Sequence, residues 1–159
     1  GGEPTLMPDL KEFILKVREL GYEVKLDSNG TRPDVLASFI EEKIVDYIAM
    51  DIKNSKERYA ETVDVENFDL SPVEESVKLL KKGNVEYEFR TTLVKEFISA
   101  DDIRGIADWL AGAKRYFLQH FKDSGNCIRE DLHEVDEKTA EEWKAIAEKK
   151  IARVALRGY

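Results

Sequence analysis

Apolar residues recur along this chain in two alternating periods, and that alternation predicts its architecture. Leu10, Phe13, Ile14, Val17 and Leu20 form an i, i+3, i+4, i+7 helical stripe, with Pro8 in the first turn and Gly21 as the stop. Residues 22–27 then read as a strand. Pro33 opens a second helix carrying Leu36, Phe39 and Ile40, followed by a strand over 45–51. Ser71-Pro72-Val73-Glu74 predicts a capping box for a helix that runs through Val77 and Leu80 to Gly83, ahead of a strand over 86–92. Ser99, with Asp102 three residues on, caps a helix through Ile103, Ile106, Ala107 and Leu110, and 115–121 is the next strand. Trp143, Ile146, Ala147 and Ile151 mark a last helix over 138–152, before a short strand at 153–156; Trp109 and Trp143 are expected to pack on helix faces. Strict alternation of helix and strand is the signature of a parallel α/β fold, expected as a single domain over 1–159.

In such folds ligands meet the C-terminal ends of the strands. Those ends supply Asp27-Ser28-Asn29-Gly30, Asp51 with Lys53, Arg90-Thr91-Thr92, and Gln119-His120, and every one is polar. A strand period of two separates Asp51 and Lys53 from Met50 and Ile52, Arg90 from Phe89, and His120 from Phe117 and Phe121. Acid, base and imidazole are therefore expected to converge on one rim. Read without further context, Asp51 and Lys53 would be a partly exposed ion pair and Arg90 a partner of Glu88. The two longest irregular stretches, 54–70 and 122–137, each follow a strand end, which is typical of working loops.

Composition narrows the function. The chain has 159 residues with 33 acidic against 25 basic side chains, a net charge of −8, so nucleic acid is not an expected partner. No apolar run approaches a membrane span, and the protein is expected to be soluble and cytoplasmic. The single cysteine, Cys127, excludes an internal disulfide and any cluster held by several thiolates of this chain. Cys127 with His133 six residues on is a two-ligand pair that closes no metal site. No Ser-His-Asp arrangement or activated nucleophile is evident, and no side chain is assigned as a general acid or base.

The phrases GGEPTL at 1–6, KLDSNG at 25–30, DYIAMDIK at 46–53, FRTTLV at 89–94 and YFLQHF at 116–121, in that order and spacing, resemble the radical S-adenosylmethionine (SAM) superfamily. Within it the chain is most similar to the anaerobic ribonucleoside-triphosphate reductase activating proteins, relatives of the pyruvate formate-lyase activating enzymes. The resemblance implies a partial (β/α) barrel. It also implies that the Gly1-Gly2-Glu3 loop receives the amino group of SAM, that Lys53 and His120 face its adenosyl region, and that Arg90 reaches its carboxylate. Asp27, Ser28, Asp51 and the Ala49 carbonyl match a small monovalent-cation site beside SAM, and Asn29 belongs to the same strand-end motif. An oxygen-only set of this kind suits a hard cation.

The family's C-x3-C-x2-C loop, which holds a [4Fe–4S] cluster, lies before GGEP and is not in this chain, so the barrel is expected to lack its first strands and the cluster ligands, either by truncation or as encoded. In the intact relative, SAM is cleaved to methionine and a 5′-deoxyadenosyl radical that takes hydrogen from a glycine of the partner reductase. The chain as given is expected to be inactive alone. The open sheet edge favours a homo-oligomer. Two alternatives stand beside this reading: a cluster-free module binding SAM, a nucleotide or a protein, and a superfamily member of the kind that makes modified purine precursors.

Overall fold

Each predicted strand forms in the computed structural model, which describes residues 2–122 and 131–159. The strands are β1 (Lys25–Ser28), β2 (Tyr47–Asp51), β3 (Glu86–Leu93), β4 (Arg115–His120) and β5 (Arg153–Arg157). They lie in one sheet in chain order, β1-β2-β3-β4-β5. The pairs β1–β2, β3–β4 and β4–β5 are parallel. The helices are α1 (Leu10–Glu19), α2 (Pro33–Glu41), α3 (Tyr59–Val63), α4 (Ser71–Lys81), α5 (Ala100–Trp109) and α6 (Glu137–Ala147). The α/β reading of the sequence is thus borne out. The chain forms two compact units, one of Gly1–Asp51 with Asp69–Glu88, the other of Ile52–Phe68 with Phe89–Tyr159.

In the first unit, the register sets Lys25 beside Tyr47 and Asp27 beside Ala49. Leu26, Ile48 and Met50 bury their side chains on the opposite face. The strand begins at Lys25 rather than residue 22, because Asp46 intervenes. Its carboxylate accepts from the Val24 N–H and from Arg18, both at 2.7 Å. That leaves Tyr22 exposed. The box expected at Ser71 is replaced by Asp69, whose carboxylate accepts from the Ser71 hydroxyl at 2.7 Å and from its N–H at 3.0 Å. Those two bonds hold the Asp69 carboxyl below the usual range. The α1 stripe also departs from expectation, since only Ile14 is buried in that helix. Phe13 and Leu20 are 62% and 76% exposed, and Phe13 lines an apolar groove of about 640 Å³ with Met7, Leu10 and Leu26.

In the second unit, a buried relay fixes where β2 hands over to its following loop. The Tyr116 hydroxyl donates to Thr91 Oγ1 at 2.6 Å, and Thr91 Oγ1 donates to the Ile52 carbonyl at 2.7 Å. Burial pushes the Tyr116 phenol well above its ordinary value of 10.0. The sign follows from proton binding. Above pH 10 the unfolded chain loses the Tyr116 proton while the folded chain keeps it, so stability falls as pH rises. One such proton is worth about 1.4 kcal/mol per pH unit. Alkaline denaturant titrations are expected to show this slope, and Tyr116→Phe to flatten it.

The irregular stretch after β2 contains α3 and an aromatic cluster. Tyr59 stacks on Phe68 with centroids 5.7 Å apart and meets the edge of Trp109 at 6.0 Å. The last helix is shorter than its periodicity suggests. Asp136 caps it, accepting from the Thr139 N–H at 3.0 Å. Beyond its end, Gly112 N–H donates to the Lys150 carbonyl at 3.1 Å and Ala152 N–H to the Ala113 carbonyl at 3.3 Å, which leads the chain into β5 alongside β4.

Candidate functional site

The first unit gathers part of the predicted site through one carboxylate. Glu3 Oε1 accepts from the Thr5 hydroxyl and the Ser28 hydroxyl, each at 2.8 Å, and from the Thr5 N–H at 3.3 Å. Its Oε2 accepts from the Asn29 N–H at 2.6 Å. Charge-assisted bonds of this kind are the strong class. The Glu3 side chain thus fastens the opening loop to the end of β1, and the loop backbone is what remains to meet a ligand. A Cβ built on Gly2 meets nothing within 4 Å, so the space beside that backbone is open. Gly1 lies outside the described residues.

The turn after β1 is equally specified. Asn29 Oδ1 accepts from the Thr31 N–H at 3.0 Å and its hydroxyl at 2.7 Å, and the buried Ser76 hydroxyl donates to the Gly30 carbonyl at 2.7 Å. Gly30 has φ +75°, and a Cβ there would lie 2.1 Å from the Met50 methyl carbon. Left-handed strain and that clash act together. Gly30→Ala is expected to cost roughly 1–3 kcal/mol, read as a lowered denaturation midpoint.

The four predicted cation ligands divide between the two faces of β1–β2. Asp27, Ala49 and Asp51 share one face by register and strand period, with Asp27 within 3.8 Å of Lys25 Nζ. The Ser28 side chain lies on the other face, where it serves Glu3 and accepts from the Gly30 N–H at 3.0 Å. Glu88, buried, accepts from the Tyr47 hydroxyl at 2.8 Å and lies 3.9 Å from Lys25 Nζ. Among the described residues, no three His, Cys, Asp or Glu side chains gather to hold a metal ion.

The second unit carries Lys53, Arg90 and His120. Lys53 lines a cavity of about 380 Å³ with Thr62, Val63, Thr92, Val94 and Phe97. Its loop is locked from behind. The buried Asn54 side chain donates to Thr62 Oγ1 at 2.8 Å and to the Phe97 carbonyl at 2.9 Å. Asp102 accepts from the Ser55 hydroxyl at 3.3 Å and from Arg58 at 2.8 Å. Arg90 pairs with Phe117 in register and Leu93 with His120. By strand period His120, at the end of β4, alternates to the face opposite Arg90. His120 instead lines a cavity of about 420 Å³ with Thr92, Gln119, Phe121, Arg157 and Gly158. The Arg157 guanidinium lies 3.9 Å from the Phe117 ring centroid.

Sequence reasoning missed the supports of this unit. Asn54 and Asp102 stand 48 positions apart, and nothing in local periodicity links them. Glu134, whose Oε2 lies 2.9 Å from His120 Nε2, sits in a stretch with no readable period. Cys127 lies outside the described residues, and His133 pairs with Glu96, its Nδ1 2.6 Å from Oε1.

Known proteins share this chain's sequence pattern and fold. The radical SAM superfamily pattern matches residues 1–110. A protein of Methanocaldococcus jannaschii named as a glycyl-radical enzyme activating enzyme is 35% identical over 164 residues, spanning 99% of this chain and 68% of that protein. A crystal structure of a domain of pyruvate-formate lyase-activating enzyme from Bacteroides vulgatus superposes with a TM-score of 0.78 at 15% identity, covering 99% of this chain and 96% of that one. Streptococcus suis SuiB bound to S-adenosylmethionine gives 0.73 at 12% identity, over 99% of this chain and 38% of that one. With its sequence pattern and its fold both matched, the chain belongs to the radical SAM superfamily.

Proposed function

We propose that this chain is the SAM-holding part of a glycyl-radical enzyme activating enzyme whose target is anaerobic ribonucleoside-triphosphate reductase. The observation that carries the activating-enzyme part of the reading is the M. jannaschii relative, which aligns with 99% of this chain, while the reductase as target rests on the resemblance of the MDIK and RTTLV phrases. The residues fit SAM in kind. In the first unit, the Gly1-Gly2-Glu3 loop takes the ammonium, with Ser28 and Asn29 holding that loop in place, while Asp27, Asp51 and the Ala49 carbonyl hold a monovalent cation, the Ser28 hydroxyl being committed to Glu3. In the second unit, Arg90 takes the carboxylate, and Lys53 and His120 take the adenosyl part. The buried His120 Nδ1 has no hydrogen-bond partner among the described residues, which suits a ligand donor there.

SAM in this family supplies hydrogen-abstracting chemistry once an iron–sulfur cluster delivers an electron. The protein's share is binding, orientation and exclusion of water. A [4Fe–4S] cluster does not fit the residues of this chain by themselves, because one cysteine cannot provide three thiolates.

The test is the gene product that carries this chain, purified anaerobically and mixed with SAM, a reductant and the reductase. A glycyl-radical doublet in the electron paramagnetic resonance spectrum of the reductase is expected. A radical formed only on a different glycyl-radical enzyme would replace the target, and none on any would overturn the activase reading. A cluster-free SAM-binding module is the alternative reading. Tight SAM binding by the iron-free chain would select it.

A further inference from the structure

His120 is held from two sides by residues outside the strand-end motifs, Glu134 and Tyr159. The stretch around His133 returns to β3, where the Lys95 N–H donates to the His133 carbonyl at 3.0 Å and Val94 bridges Glu134 in antiparallel sense. Glu96 secures it, accepting from the His133 N–H at 2.8 Å, and that bond first, then the His133 ring, holds the Glu96 carboxyl below the usual range. So anchored, Glu134 brings Oε2 to 2.9 Å from His120 Nε2. The Tyr159 ring packs on the imidazole with centroids 4.5 Å apart, and its hydroxyl donates to the Val135 carbonyl at 3.1 Å.

A carboxylate accepts and cannot donate, so the hydrogen at this contact sits on His120 Nε2. A ring that carries its one proton on Nε2 presents Nδ1 as a lone pair. That atom is buried and has no hydrogen-bond partner among the described residues. A buried acceptor left unpaired is costly, and the complement is a ligand O–H or N–H. We infer that Glu134 is a positioning residue that fixes His120 as the Nε2–H tautomer, so that Nδ1 accepts a hydrogen bond from a ligand hydroxyl. The inference rests on the reading that His120 meets the adenosyl part of SAM, and it names a ribose hydroxyl as the donor.

The side chain of Glu134 is 67% exposed, so the pair contributes little to stability. A merely structural role and a tautomer-setting role therefore separate cleanly. Imidazole 15N spectra of the whole chain, with His133→Gln to assign the two histidines, are expected to show His120 as Nε2–H. Glu134→Ala is expected to mix the tautomers at an unchanged melting temperature and to weaken S-adenosylhomocysteine about tenfold. Glu134→Gln, which keeps a carbonyl acceptor, is expected to restore both. A 2′,3′-dideoxy analogue should bind Glu134→Ala and the parent alike. An Nδ1–H ring in the parent chain, or the same tautomer in Glu134→Ala, overturns the role of Glu134. If the parent takes no S-adenosylhomocysteine, the adenosyl reading falls, and the spectra still decide whether Glu134 sets the tautomer.

Discussion

Asp102→Ala is expected to lower the stability of the second unit by about 2–4 kcal/mol. Asp102 is 4% exposed and serves two elements at once. Within α5 its Oδ2 accepts from the Ser99 N–H and hydroxyl, both at 2.8 Å, which completes the capping box. Across to the preceding loop it receives Ser55 and Arg58. Removing the carboxylate forfeits a cap, worth about 1 kcal/mol, and leaves the buried Ser55 hydroxyl without its acceptor. Arg58 keeps Glu61 at 3.1 Å, so no cation is stranded and the loss stays short of the full cost of a broken buried pair. For a chain of this length the melting temperature is expected to fall by roughly 4–16 °C. Asp102→Asn, which retains one carbonyl acceptor, should lose less. Equal melting temperatures for all three proteins would remove the anchor from the account.

Glu3→Ala carries the second large effect, and it falls on binding more than on folding. The carboxylate collects four hydrogen bonds from Thr5, Ser28 and Asn29 and so joins the opening loop to the end of β1. Its loss is expected to destabilise the first unit by about 2–3 kcal/mol and to release the loop around Gly2. SAM affinity is expected to fall by at least tenfold, since a ligand must then order that backbone itself. Glu3→Gln is expected to rescue only in part, because either placement of the amide sets its nitrogen against a backbone N–H, that of Asn29 at Oε2 or that of Thr5 at Oε1. Calorimetric SAM titration of the parent and both variants checks the result.

Strands and helices were legible because period and capping are local. The α5 box at Ser99 and Asp102 formed as its spacing predicts, and β5 follows the last helix. Where the reading slipped, a side chain outside the local pattern had taken over. Asp46 draws Val24 out of β1, and Asp69 takes the cap expected of Ser71. The α1 stripe is amphipathic as read, yet periodicity reports a face and not what covers it, so Phe13 and Leu20 stand exposed. The strand-end residues were found because a parallel sheet makes its ends the place to look. Their supports were not, because Asn54 to Phe97 and His120 to Glu134 are tertiary pairings with no sequence period. The opposition of Arg90 and His120 is a matter of register between β3 and β4, which no single strand reveals.

The central claim is that the strand ends of this chain bind SAM. Backbone amide spectra of the 15N-labelled chain, followed as SAM is added to millimolar concentration, test it most directly. The account predicts saturable shifts at Gly2, Glu3, Asp27 to Asn29, Asp51, Lys53, Arg90 and His120. Shifts absent there, or confined to other surfaces such as the groove beside Phe13, would contradict it.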